Sequence, residues 1–217
     1  MARTELVVIL DRSGSMASAA SDHIGGLKTF VRDQQNLTEE AYLTFIQFDS
    51  VNPCEVVFDH VPIAQVDLKK IELVPRGATP LLDALGRGVA FADKYMSGDR
   101  IVIFMVVTDG EENSSIEWTK ERIKRLIADK ESIGWKFLYL GANVDAFVEA
   151  TRIGISVQTA ANYSNTRIGI QSMYAGTSRN VREVRTASAA NVPYSDALQS
   201  LTYTDEQRAG MADEANR

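Results

Sequence analysis

Asp11, Ser13 and Ser15 stand at alternate positions directly behind five aliphatic residues, in the string Leu6-Val-Val-Ile-Leu-Asp11-Arg-Ser13-Gly-Ser15. One carboxylate and two hydroxyls, with Gly14 allowing a tight turn between them, form a set of hard oxygen donors that suits Mg²⁺ and suits zinc poorly. Alone the string is weakly specific, because serine and glycine crowd ordinary turns and an aspartate behind a strand can simply cap the next helix. Two further groups sharpen it. Thr79 lies in Gly77-Ala-Thr79-Pro80 at the start of an apolar-periodic segment, and Asp109 lies in Thr108-Asp109-Gly110 behind the strongest apolar run. If strands 5–10 and 101–107 are parallel neighbours, Asp11 and Asp109 end on one sheet edge, with the Thr79 loop approaching from above. In open α/β sheets that edge is where ligands bind.

The elements that must position these groups follow from hydrophobic pattern. Apolar runs predict strands over 5–10, 41–48, 54–59, 101–107 and 135–140, with a weaker one near 153–158. Residues 41–48 and 54–59 are joined by Asp-Ser-Val-Asn-Pro-Cys, a turn-rich link that predicts a hairpin and hence an antiparallel edge strand. Helical spacing places Ile24, Leu27, Phe30 and Val31 on one covering helix, and Leu81, Leu82, Leu85, Val89 and Ala92 on a second. A third helix is expected over 117–132 with Ile123, Leu126 and Ile127 inward, and a fourth over 166–185 with Ile170, Met173, Tyr174, Val181 and Val184 inward. The alternation predicts an α/β fold with a Rossmann-like, mostly parallel central sheet, one antiparallel edge strand, and helices on both faces. Beyond residue 187 the chain turns polar, and Thr204-Asp-Glu-Gln207 reads as a capping box for a short helix over 205–215 with little apolar face to dock, disorder or ordering on a partner being the equal alternative.

Taken together, Asp11-x-Ser13-x-Ser15, Thr79 and Asp109 resemble the metal-ion-dependent adhesion site of the von Willebrand factor A domain, found also in integrin I domains. The resemblance covers residues 4–185, which gives a domain over 1–186 and a C-terminal tail over 187–217. The stretches Val74–Leu85, Thr108–Asn113, Trp135–Asn143 and Asn162–Ser164 resemble the intracellular bacterial and phage branch of that family. The resemblance implies that Ser13 and Ser15 bind the metal directly, that Asp11 and Asp109 bind it partly through water, and that Thr79 is a movable ligand. It implies Mg²⁺ as the cofactor, with Ca²⁺ or Mn²⁺ able to replace it in vitro, and a partner protein that presents Asp or Glu to the open coordination position. The physical logic is independent of the family, since two carboxylates hold a divalent cation without filling its shell, and an incoming Asp or Glu completes it. The expected function is therefore a non-enzymatic, Mg²⁺-dependent protein-binding module. The alternatives are a structural or assembly subunit, in a phage particle or as adaptor of a partner ATPase, and a metal-dependent phosphohydrolase.

Composition narrows the rest. In 217 residues, 45% hydrophobic and 24% charged, there is enough apolar material for one full core. The net charge of −6 and the absence of a basic stripe argue against nucleic acid, and no apolar run is long enough to span a membrane. A single cysteine, Cys54, reads as a small buried side chain in a reducing compartment, and the expected location is cytoplasmic. No phosphate-binding Gly-x-x-x-x-Gly-Lys string occurs, only Gly14 stands where a dinucleotide fingerprint needs three glycines, and Ser13 replaces the second aspartate of a haloacid-dehalogenase-type site. His23 and His60 have no evident partners and are read as non-catalytic. Glu111 and Glu112 are read first as a solvated loop face, with a place behind the metal ligands or a part in choosing the partner as the alternative, and Asp49 is read as a turn former.

Overall fold

The computed structural model describes residues 3–95, 100–189 and 194–212. Six strands, β1 (Arg3–Asp11), β2 (Ala41–Phe48), β3 (Glu55–Pro62), β4 (Arg100–Thr108), β5 (Lys136–Gly141) and β6 (Ala160–Asn162), form one sheet in the order β3-β2-β1-β4-β5-β6. All neighbours pair in parallel except β2 and β3, whose antiparallel register bulges near Phe45. The sheet is thus mostly parallel with one antiparallel edge strand, as the hairpin signal predicts.

The continuous apolar runs of β1 and β4 exist because both faces are covered. Along β1, Leu6, Val8 and Leu10 enter one core, while Val7 and Ile9 enter the other. The first core is closed by α1 (Ala20–Gln35) through Leu27, Phe30 and Val31 and by α5 (Arg167–Ala189) through Ile170, Met173, Tyr174, Val181 and Val184. The second is closed by α2 (Leu81–Ala92), α3 (Lys120–Ser132) and α4 (Ala146–Ile153). Within α3, Ile123 and Ile127 are buried and Leu126 packs at the margin.

Three expectations need correction. The weak strand near 153–158 is absent. Residues 146–153 instead form α4, capped at its start by Asp145, which accepts from the amides of Phe147 and Val148, and ended by Gly154 in the left-handed region (φ 93°). The sixth strand falls later, at Ala160–Asn162. The third helix starts at Lys120 with Thr119 as its cap, so residues 110–118 are loop.

Nor is the segment after 187 short of apolar anchors. Alongside the expected helix, α7 (Asp205–Ala212), it contains α6 (Tyr194–Gln199), and Leu201, Tyr203 and Met211 are fully buried in the core beneath α5. The capping box forms as read, with the Gln207 amide donating to Thr204 Oγ1 at 3.1 Å and the Thr204 amide donating to Gln207 Oε1 at 2.9 Å. Tyr203 adds a 2.8 Å hydroxyl contact with Thr177 of α5.

Candidate metal centre

β1 lies between β2 and β4, so the chain's order reverses at β1, which in open α/β sheets marks a ligand crevice at the carboxyl ends of the strands, here those of β1 and β4. Asp11 is the last residue of β1, and Asp109 follows the last residue of β4. Both are buried. Behind Asp11 the backbone enters a 3₁₀ turn, Gly14–Ser18, which brings the two serines round to the same edge.

Four of the five candidate ligands are joined by hydrogen bonds. The Ser13 amide donates to Asp11 Oδ1 at 2.7 Å, Ser13 Oγ and Ser15 Oγ lie 3.0 Å apart, and Ser15 Oγ donates to Asp109 Oδ1 at 2.5 Å. The fifth, Thr79, is also buried, and its hydroxyl is located by Gly110. A Cβ on Gly110 would stand 3.4 Å from Thr79 Oγ1 and 3.7 Å from Ser15 Oγ, so those hydroxyls flank a space that a side chain would fill.

Three residues outside the candidate ligand set fix this arrangement. Thr108 Oγ1 donates to Asp11 Oδ2 at 2.6 Å, occupying the carboxylate oxygen that Ser13 leaves. Asn113 grips Thr79 from both sides, its Oδ1 accepting from the Thr79 amide at 2.9 Å and its amide donating to the Thr79 carbonyl at 3.1 Å. Glu112 is not a solvated loop face. It accepts from the amides of Ser114 and Ser115 and from the Leu82 amide at 2.9 Å, so it caps α2 and ties the Asp109 loop to the Thr79 loop. Glu111 is exposed. The signal for these roles in sequence is slight: a hydroxyl before Asp109, and polar residues just beyond it.

Asp49 does form its expected turn, accepting from the Val51 and Asn52 amides, and it also meets two arginines. Cys54 is half-buried against the second core rather than enclosed. Neither histidine joins the crevice. His23 is buried between Tyr163 and Tyr174, and burial lowers its pKa to about 4. His60 pairs with Glu5 at 2.9 Å, near the opposite end of β1.

The donor set fits a small, hard cation. Burial pushes the Asp11 carboxyl up to about 6, against hydrogen bonds from Thr108 and Ser13, and pushes Asp109 up as well, against the bond from Ser15. Asp109 Oδ2 is buried with no hydrogen-bond partner among the described residues. A buried carboxylate oxygen without a partner is costly unless a donor or cation meets it. Among the described residues no group of three or more His, Cys, Asp or Glu is placed to hold a metal ion, and three of the five candidate ligands here carry hydroxyls. Thiolate and imidazole coordination of the kind zinc prefers is not built.

No protein-family model matches the chain, and no curated protein matches it. Solved structures do. The proximal thread matrix protein 1 from the mussel byssus, with a zinc-occupied MIDAS motif, superposes with a TM-score of 0.60 at 12% identity over 82% of this chain and 45% of its own. The von Willebrand factor type A protein from Catenulispora acidiphila gives 0.61 at 17% identity, over 84% and 43%. The von Willebrand factor domain of the type V pili tip protein Mfa5 from Porphyromonas gingivalis gives 0.63 at 10% identity, over 83% and 95%. The fold is therefore that of the von Willebrand factor A domain. The chain spans less than half the length of the mussel and Catenulispora proteins and nearly the whole of the Mfa5 domain.

Proposed function

We propose that this chain is a protein-binding module of the von Willebrand factor A type, holding one divalent cation, Mg²⁺ in the cell, at Asp11, Ser13, Ser15, Thr79 and Asp109. The observation that carries the reading is the unpartnered, buried Asp109 Oδ2 beside a chain of hydroxyls at the sheet's switch point. Ser13, Ser15 and Thr79 would supply hydroxyl oxygens, and Asp109 a carboxylate oxygen. Asp11, whose two oxygens already accept from Ser13 and Thr108, would contribute from behind them. When bound, the cation supplies a positive centre on which a carboxylate from another protein can complete the coordination shell. The chain's own residues hold that centre at the surface, with Ser15 exposed beside the buried ligands.

The partner is then a protein presenting Asp or Glu. Binding rather than catalysis is favoured because His23 is enclosed by tyrosines and His60 is paired with Glu5, leaving neither to serve as a base at the cation. We also place the chain in the cytoplasm, with the intracellular bacterial and phage branch of the family. The branch rests on the resemblance of Val74–Leu85, Thr108–Asn113, Trp135–Asn143 and Asn162–Ser164, and the location on the lone Cys54 and the lack of a long apolar run; the solved structures named above, from a byssus, a pilus and a bacterial von Willebrand factor type A protein, do not support that branch.

Isothermal titration with Mg²⁺ tests the reading. One site is expected, lost in Asp11→Ala with the circular dichroism spectrum unchanged. Full Mg²⁺ affinity in a folded Asp11→Ala variant refutes the assignment. Capture of a partner that survives EDTA and Thr79→Ala would move the binding surface elsewhere.

A further inference from the structure

Arg12 stands between two proposed ligands, Asp11 and Ser13, and its guanidinium is committed elsewhere. Its Nε donates to Asp49 Oδ2 at 2.7 Å, and its Nη2 lies 2.6 Å from the same oxygen and 2.7 Å from Glu55 Oε2. Arg76, three residues before Thr79, converges on the same two oxygens, with Nε 3.0 Å from Asp49 Oδ2 and Nη2 3.3 Å from Glu55 Oε2. The Asp49 side chain is 0% exposed.

Backbone bonds follow the same lines. The Arg76 amide donates to the Arg12 carbonyl at 2.8 Å, and the Gly14 amide donates to the Gly77 carbonyl at 3.0 Å. The Ser50 amide donates to the Ala78 carbonyl at 3.0 Å, and Ser50 Oγ accepts from the Ala78 amide at 2.9 Å. One buried carboxylate thus joins the loop carrying Asp11, Ser13 and Ser15 to the loop carrying Thr79, and joins both to the β2–β3 turn through Val51 and Asn52.

Ion pairs of this depth are often no better for stability than apolar residues of the same size, so their value lies in what they hold in place. We propose that Asp49 is a positioning residue of the metal centre. Through Arg12 and Arg76 it sets where the Thr79 hydroxyl stands relative to Ser13 and Ser15, without touching the cation. The inference rests on the metal reading above and names the group that makes it geometrically exact enough to work. Groups that orient ligands from behind are worth about tenfold to a hundredfold in metal affinity.

The test is Mg²⁺ titration of the wild type, Asp49→Asn, Thr79→Ala and the double variant. Asparagine keeps an acceptor for the Val51 and Asn52 amides and removes the charge that the arginines share. Asp49→Asn is expected to weaken Mg²⁺ binding by about tenfold or more while the circular dichroism spectrum is retained. The double variant is expected to lose less than the two single losses combined, because the position of Thr79 ceases to matter once its hydroxyl is gone. A purely structural ion pair would lower the melting temperature and leave the cycle additive. Should Asp49→Asn fail to fold, Arg76→Met decides, since that side chain is 45% exposed and its loss frees the Thr79 loop from Asp49 and Glu55 while Arg12 stays on Asp49; a loss of about tenfold is expected there too. Affinity within about twofold of wild type in the folded variant, or full additivity, overturns the inference while leaving the metal reading intact. Absence of Mg²⁺ binding to the wild type overturns both.

Discussion

Replacing Tyr203 with alanine tests whether the polar C-terminal segment is part of the folded body. Its ring is 1% exposed, lies in the core under α5, and carries a hydroxyl 2.8 Å from Thr177 Oγ1. Truncating a buried aromatic to alanine costs about 3–5 kcal/mol. In a chain of this size each kcal/mol lowers the melting temperature by about 2–4 °C, so Tyr203→Ala should fall by about 6–20 °C. Tyr203→Phe keeps the ring and removes only the hydroxyl contact. Thr177 Oγ1 still donates to the Met173 carbonyl at 2.8 Å, so the cost should be about 1 kcal/mol. Thr202→Ala, an exposed neighbour, should stay within about 0.5 kcal/mol of wild type. Thermal unfolding followed by circular dichroism reads all three. A Tyr203→Ala variant that melts with Thr202→Ala would refute the docking of this segment and restore the reading of it as a polar tail with little apolar face to dock.

Gly77 has φ +69°, and a Cβ there would meet Ser50 Oγ at 2.6 Å, so Gly77→Ala should cost about 1–3 kcal/mol and weaken Mg²⁺ binding by displacing the Thr79 loop; wild-type affinity in a folded variant would argue against that coupling. His23 has its pKa lowered from 6.5 to about 4, so the fold prefers the neutral ring. Its contribution is complete above about pH 6.5 and is lost as the pH falls toward 4, a drop of about 3 kcal/mol. His23→Gln should flatten that part of the urea-stability profile between pH 7 and 4, and an unchanged slope would assign the acid sensitivity to other groups. Arg185 is 1% exposed and donates to the Gln34 carbonyl at 2.8 Å, to Gln34 Oε1 at 3.0 Å and to the Glu39 carbonyl at 2.6 Å. Arg185→Met should cost about 2–4 kcal/mol by leaving these acceptors unmet at the end of α1, and a loss under about 1 kcal/mol in chemical denaturation would show that water replaces the guanidinium.

Strands buried on both faces were legible because nothing but an apolar run can occupy them, and β1, β2, β4 and β5 stand where those runs are. The hairpin at Asp49–Cys54 was legible from turn residues. Helix α4 was not, because eight residues rich in β-branched and small side chains run into Gly154-Ile-Ser-Val157, whose alternation imitates a strand. The strand that does form, Ala160–Asn162, has three residues and no hydrophobic signature of its own. In the candidate site, the residue types that could hold a cation were visible in sequence, and their convergence was inferred from strand ends. The clamp behind them was not. Arg12 and Asp49 are 37 positions apart and Arg76 and Asp49 are 27 apart, and a charge pair at such a distance leaves no periodicity to read. The tail was misjudged for a related reason: Leu201, Tyr203 and Met211 are few, and only the groove beneath α5 shows that a few suffice.

The place of β1 in the sheet sets a problem for the chain as it is made. β1 is made before the other five strands of its sheet and ends up in the interior of that sheet, with β2 on one side and β4 on the other. The β2 partner arrives soon, but Thr4 pairs with Ile101, so the other edge of β1 waits for about a hundred more residues to be synthesised. Through that interval Leu6–Leu10 presents an unpaired, apolar strand edge, the kind of surface on which nascent chains associate wrongly. Such non-local pairing also slows refolding from denaturant. Asp11 and Asp109 inherit the same delay: the crevice they line comes into being only when β4 closes against β1, so cation binding in a growing chain would mark the moment its central sheet is complete.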